Sequence, residues 1–379
     1  MKKFTFKVLF VLLLTSIIIS CKEQKKAQIS LNHDAQKEFS YTIETVVDGL
    51  EIPWGMTFLP DNSILITEKN GELIHFKNGE KINITGAPKS VVQGQGGLLD
   101  IELDPNYEEN GWIYFSYASN LENDNKGANT TIARAKLSGT SLNNLEVLYK
   151  ATPNTKKGQH FGSRIVFDKN GYLYFSIGDR GNRDELPQDI TKDGGKIYRI
   201  NRDGSIPESN PFYNEAGAKK AIFCYGNRNP QGMVIHPDTG EVWAHEHGPK
   251  GGDEINIIQS GKNYGWPKAS YGINYSGTPF TDNKTLPGME NPIHYWVPSI
   301  APSGMTFVTG DKYPNWKGNL LVGSLKFMYL NKCVIENNKV VNEEKLLEDL
   351  GRVRSVKQAP DGFIYVGIEH KGIVKIVQN

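Results

Sequence analysis

FDKNGYLYFSIGD, residues 167–179, sets an Asp-Lys-Asn-Gly turn directly before a run of aromatic and β-branched residues. Asn170-Gly171 is a tight-turn pair, and Tyr172, Tyr174 and Ser176 alternate as the residues of a half-buried strand do. The phrase returns along the chain as LPDNSILITEKNGELIHF (59–76), LDPNYEENGWIYFSY (103–117), IHPDTGEVWAHEHG (235–248), YPNWKGNLLVGSLK (313–326) and APDGFIYVGIEHKGIVKI (359–376). Each of the six copies carries Asp or Asn near Gly and then a strand pattern, such as Phe363, Tyr365 and Gly367. Helical periodicity is weak throughout. Self-similar, strand-rich units of this kind predict an all-β, six-bladed β-propeller of four-stranded antiparallel blades, which closes radially and leaves few exposed edges. An irregular pair of β-sandwiches is the competing reading. The uneven intervals between copies predict long loops on one face, over 121–130, 182–195, 204–220 and 262–300, and a ligand site among them.

The chain has 379 residues, including Gly 39, Pro 19, Tyr 17 and Phe 16. That is long for one compact domain, yet no Ser-rich or Pro-rich linker divides it, so one domain over 41–379 is expected. The formal charge is +1. Lys2, Lys3 and Lys7 all fall in the first twenty residues, where there is no acid, so the remainder is slightly acidic and nothing suggests nucleic acid as a partner. Those lysines precede an apolar run from Val8 to Ile19, too short for a comfortable membrane span, and residues 1–20 read as a targeting segment. Ile18-Ile19-Ser20-Cys21 resembles the lipobox of bacterial lipoproteins, which implies lipidation of Cys21 and a cell-envelope location on the periplasmic or surface face. An ordinary signal peptide that contains a cysteine is the other reading. Residues 21–40 are polar and read as a tether. Only Cys224 and Cys333 remain beyond it, too few for a disulfide framework.

Four motifs carry chemistry. In GQHFGSRIVFDKNGYLYFSIGD, His160 lies in the loop before one strand and Asp179 at the end of the next, so a hairpin returns both to one rim. An Asp that accepts from one imidazole nitrogen fixes the tautomer and leaves the other nitrogen basic, the arrangement of a general base. CYGNRNPQGMVIHP offers Arg228 and Asn229 in a turn set by Pro230 and Gly232; such a pair can grip a carbonyl or carboxylate. HEHGPKGGDEINII offers an open backbone at Gly248 and Pro249, whose carbonyls suit calcium. His245 and His247 share a strand face and invite zinc, but no third ligand stands near in sequence. Finally, Lys326 in GSLK and Arg352 with Arg354 in GRVRSV are three cations that would repel on one rim unless an anion sat among them. The alternative is that each pairs with a local acid such as Glu348 or Asp349. Gln95, in GQGGLLDIELDP, adds an uncharged donor and acceptor on another glycine-rich turn.

From about residue 40 onward these blocks resemble the soluble glucose and aldose sugar dehydrogenases that use pyrroloquinoline quinone (PQQ), within the glucose/sorbosone dehydrogenase family. GNRNPQG followed by EHGPKGGDEIN is the most specific part. The resemblance implies PQQ and Ca2+ as cofactors and a small-molecule sugar as substrate, oxidised at C1 to the lactone. It implies His160 as the base with Asp179 as its orienting partner and Arg228 near the reactive carbonyl. Gln95, Asn229, Lys326, Arg352 and Arg354 would hold the quinone, and Gly248 and Pro249 its calcium. Glu254 and Tyr264 would ligate a second, structural calcium. Gln159 stands where glucose-specific members carry Asp, so cofactor contact or substrate preference is expected to differ there. Tyr271, Tyr275, Tyr295 and Trp296 are candidates for stacking on a sugar ring, or for packing the loops. A non-catalytic propeller binding module and a calcium-dependent lactonase or esterase are the readings from other classes. The electron acceptor is not legible in the sequence; a homodimer is the candidate assembly.

Overall fold

The computed structural model describes residues 40–120 and 126–378, so Cys21, the targeting segment and nearly all of the tether lie outside the described residues. Thr42–Val377 forms one compact unit, and it is the unit described below. It is the expected propeller: six four-stranded antiparallel sheets. The inner strands are Pro53–Phe58, Leu98–Leu103, Ile165–Phe167, Pro230–Ile235, Pro302–Phe307 and Val353–Gln358, each touching the inner strand of the next blade until the ring closes. Closure is made by the N-terminal strand, Tyr41–Asp48, which is the outermost strand of the last blade.

All six copies of the sequence phrase fall where a blade turns from its inner strand into its second strand. One expectation is corrected. The strands Leu173–Ile177 and Ile364–Ile368 are buried at every position, not half-buried. The reason is that each blade is sandwiched between two neighbours. Leu173, Phe175 and Ile177 pack with Tyr114 and Ile132 of the preceding blade, whereas Tyr174 packs with Val242 and Ala244 of the following one. Alternate side chains thus feed two different cores, and each large side chain so buried contributes about 1.5–3 kcal/mol. Phe175 and Tyr198 stack with ring centroids 5.0 Å apart, which adds directional packing within one blade.

In an antiparallel pair the start of the first strand lies beside the end of the second. Every blade therefore presents two segments at one rim, the lead-in to its inner strand and the exit from its second strand. Gln95, His160, Arg228 and Arg352 belong to lead-ins, and Asp179, Gly248 and Lys326 to exits.

Candidate active site

His160 donates from Nδ1 to Asp179 Oδ1 at 2.6 Å, so the hairpin does bring the two together. The Asp179 side chain is 1% exposed and that of His160 12%. Asp179 Oδ1 also accepts from the Gly181 amide at 2.7 Å, and Oδ2 from the Trp266 indole at 2.9 Å. Burial pushes this carboxyl up, but the interaction with His160, the Arg228 charge and the Gly181 amide hold it below its ordinary value. The imidazole is itself held below its usual value, first by burial and then by the Arg228 and Arg180 charges, against the pull of Asp179. A neutral ring with Nδ1 committed leaves Nε2 as a base at neutral pH. The His160 backbone has a left-handed φ of 56°, and its amide donates to Gln95 Oε1 at 2.8 Å.

Arg180, which the sequence reading passed over, fastens the loop that carries this histidine. Its guanidinium is fully buried, lies 3.4 Å over the Phe161 ring, and donates to the carbonyls of Gln159, Lys157 and Ala128.

Arg228 Nη1 donates to the carbonyls of His247 and Gly248, each at 3.0 Å. The turn that carries Arg228 and Asn229 is organised by Glu246, whose carboxylate accepts from both backbone amides and, at 3.0 Å, from Asn227 Nδ2. Asn229 Oδ1 accepts from the Gly162 amide at 3.0 Å, while its buried Nδ2 has no partner. Around Gly248 the chain approaches itself closely, since a Cβ there would lie 2.0 Å from the Gly251 carbonyl oxygen. Only glycine fits that approach.

Two cavities open at this rim. One, of about 310 Å³, is lined by His160, Gln159, Asp179, Arg228, Pro249, Trp266 and Tyr275 among others. The other, of about 440 Å³, is lined by Trp54, Lys69, Gln95, His247, Leu325, Arg352, Arg354 and Glu369 among others. The Gln95–His160 and Arg228–His247 hydrogen bonds join the two linings.

The expected trio of cations is only partly assembled. Arg352 Nε donates to Glu369 Oε2 at 2.6 Å and Arg354 Nε to Glu369 Oε1 at 2.8 Å, so both arginines turn onto one carboxylate. That acid is Glu369, not Glu348 or Asp349. Lys326 is exposed, its ammonium 4.9 Å from the Phe327 ring centroid, and it does not line the cavity that holds the arginines. Its neighbour Leu325 does, and the Leu325 carbonyl accepts from Arg352 at 3.0 Å. Both residues lie beyond the strand Leu320–Ser324, in the bend where the chain leaves the sheet, and there one step separates lining from exposure.

Where the resemblance implies a second metal, the Glu254 carboxylate is buried opposite Glu246 on paired strands, and burial and then Glu246 push it well up. Asn256 Oδ1 beside it has no partner. Among the described residues no group of three or more acids, histidines or cysteines is placed to hold a metal ion here. The Tyr264 hydroxyl is engaged elsewhere, donating to the Ile257 carbonyl at 2.7 Å, so the phenol is not brought to Glu254. Of the candidate stacking residues, Tyr275 reaches the first cavity. Tyr271 and Tyr295 stack on each other at 3.8 Å, and Trp296, buried in a blade core, donates from its indole to Glu343 at 2.6 Å; none of the three lines the first cavity. His245 is fully buried with both ring nitrogens unpartnered, and His247 Nε2 contacts the Pro302 carbonyl at 2.6 Å.

The residues thus fit an anionic, acceptor-rich ligand: an unpartnered buried amide donor at Asn229, the Arg228 guanidinium on the cavity wall, and two arginines that share one acid. Fold and site together define a propeller of the quinone-dependent sugar dehydrogenase type. The chain belongs to the Glucose / Sorbosone dehydrogenase family, whose model matches residues 50–376. It is 42% identical over 332 residues to aldose sugar dehydrogenase YliI of Escherichia coli, covering 86% of this chain and 89% of that protein. A solved structure of the soluble aldose sugar dehydrogenase of Escherichia coli aligns with a TM-score of 0.85 at 38% identity, covering 90% of this chain and 100% of the other. The PQQ-bound form of aldose sugar dehydrogenase from Streptomyces coelicolor aligns with a TM-score of 0.73 at 26% identity, over 90% and 99% of the two chains.

Proposed function

We propose that this protein oxidises an aldose at C1 to the lactone, with PQQ and calcium as cofactors. The observation that carries the reading is the neutral imidazole of His160, oriented by a buried carboxylate, at the wall shared with a cavity lined by more cations than acids. Gln95, Asn229, Arg228, Arg352 and Arg354 would hold the quinone, with Gln159 beside it and Lys326 reachable only by a swing of its side chain. The backbone carbonyls of Gly248 and Pro249 would hold its calcium. When bound, the quinone would supply the hydride acceptor for C1 and calcium would supply Lewis acidity that strengthens it.

The protein's own part is proton transfer and orientation. His160 Nε2 takes the proton of the anomeric hydroxyl, which makes C1 the better hydride donor. Asp179 keeps the proton on Nδ1 and stabilises the imidazolium as it forms, while Trp266 and Gly181 hold Asp179 still. Tyr275 offers a face to the sugar ring. Glu254 and Asn256, near Glu246, would hold a second calcium that stiffens the fold below Arg228. The reading extends to the region ahead of the propeller: a signal peptide over 1–20, lipidation at Cys21, a tether to about residue 40, and an envelope location.

A non-catalytic binding module has no use for a base whose ring is held neutral by its surroundings. The test is reconstitution with PQQ and calcium followed by dye reduction with several aldoses. Activity lost about 10²–10⁴-fold in His160→Ala, with quinone uptake retained, is the expected result. Tight quinone uptake with no reduction by any aldose would favour the binding module.

A further inference from the structure

Lys69, which the sequence reading did not single out, lines the cavity that holds Arg352 and Arg354. We propose that Lys69 binds a carboxylate of the quinone, as the third cation of the set with Arg352 and Arg354; the proposal rests on the cofactor assignment above.

Lys69 leaves the second strand of the first blade directly after Glu68 and lines the same cavity of about 440 Å³ as both arginines. Its neighbour cannot neutralise it. The Glu68 carboxylate is turned back onto the amides of Glu51 and Ile52, at 3.1 and 2.8 Å. Lys69 Nζ donates to the Gly94 carbonyl at 2.9 Å and, among the described residues, enters no ion pair. An ammonium has three donors, so two remain for a ligand. Glu369, the acid that lines this cavity, is already shared between Arg352 and Arg354. Two positive charges are therefore left without a counter-charge.

Burial and then the Arg354 charge hold the Lys69 ammonium below its ordinary value, with Glu369 opposing, which places the lysine within electrostatic reach of that pair. Like charges gathered in a partly closed cavity are unfavourable until an anion joins them. A neutral sugar brings no such charge, whereas a quinone with several carboxylates does. Lys69 is also held in place before any ligand arrives. A Cβ on Gly97 would lie 1.9 Å from the Lys69 carbonyl oxygen, so the 94–97 turn lies flat against it. That turn carries Gln95, whose side chain holds the His160 amide. One lysine therefore anchors the Gln95 turn and offers charge to the ligand.

The experiment titrates PQQ, at fixed calcium, into protein freed of quinone and metal, following tryptophan fluorescence, for which Trp54 in the same cavity is a reporter. The titration is repeated at several salt concentrations. Lys69→Gln is expected to weaken binding about 10- to 100-fold and to make it less salt-sensitive, and Lys69→Arg to stay within a few-fold of wild type. Lys69→Met provides a second neutral variant, and thermal melts identify any loss of folding. Neutral variants that bind within twofold of wild type would overturn the proposal. So would a weakening that Lys69→Arg shares in full with unchanged salt dependence, since that is loss of the turn and not of the charge. Failure of the wild type to bind the quinone would instead overturn the cofactor reading.

Discussion

Replacing Asp179 by Asn tests the site most sharply, because both carboxylate oxygens are engaged by donors. Oδ1 serves His160 Nδ1 and Gly181, and Oδ2 serves Trp266. Asparagine has one acceptor oxygen and one NH2. With its oxygen toward His160, its NH2 meets the Trp266 indole N–H, donor against donor. Turned the other way, its NH2 meets the Gly181 amide and reverses the imidazole tautomer. The first orientation has the fewer conflicts and leaves one buried indole unpaired, at a cost of about 1–3 kcal/mol in stability. The tautomer survives there, but the anion that stabilises the imidazolium does not. Loss of a charged hydrogen-bond partner, about 1.5–3 kcal/mol, becomes roughly a 10- to 150-fold fall in kcat. The two effects separate on adding Trp266→Phe, which removes the opposing donor. Thermal melts of the double variant should recover part of the stability lost in Asp179→Asn, while dye-reduction assays show kcat still depressed. The acid limb of kcat/KM should also move to lower pH, since removing a neighbouring anion lowers the imidazole further. Asp179→Asn with kcat within threefold of wild type, or stability effects that simply add, would refute the reasoning.

Three further predictions concern other parts of the molecule. His160, His245 and His247 are all held below the ordinary histidine value, burial being the largest cause for each, with His247 at about 3. Below about pH 6.5 these three groups therefore bind more protons in the unfolded chain than in the folded one, so their contribution to stability falls as pH drops from 6.5 toward 3, while Glu246 and Glu254, pushed up by burial, act in the opposite sense; His247→Gln should remove part of the histidine contribution, and a variant whose melting temperature varies over pH 6.5–4 just as the wild type's does would contradict this. Calcium should raise the melting temperature by a few degrees, and Glu254→Gln should reduce that rise without abolishing quinone uptake. For the anchor, the full chain made in a bacterium should partition into detergent and carry a lipid mass at residue 21, and Cys21→Ser should remove both; a soluble wild-type chain of unmodified mass would dismiss lipidation.

Much of the site was legible because its members sit in turns with strong local signals. His160 and Asp179 are joined by one hairpin, and a hairpin's two ends meet by geometry alone, so their pairing needed no tertiary information. A second regularity was present but unread. Glu68, Asp179, Glu246 and Glu369 each stand within two residues of the end of a second strand, in four different blades. Comparing the six copies position by position would have found these acids and, with them, the supports of Arg228, Arg352 and Arg354. The half-buried strand reading failed for a related reason, since alternation seen in one strand cannot reveal that its outer face meets another blade.

By itself the sequence determined the number of blades, the rim on which chemistry gathers and the imidazole–carboxylate pair, because each follows from contacts between residues close in the chain. The tertiary structure alone decided that Glu369 and not Glu348 or Asp349 receives the arginines, that Lys69 lines the cavity they share while Lys326 is exposed, and that the Trp266 indole closes over Asp179. Those contacts join different blades or distant loops. Which side chain arrives there depends on how the strands pack around the ring and on the bends by which the chain leaves each second strand, and neither is written in a single repeat.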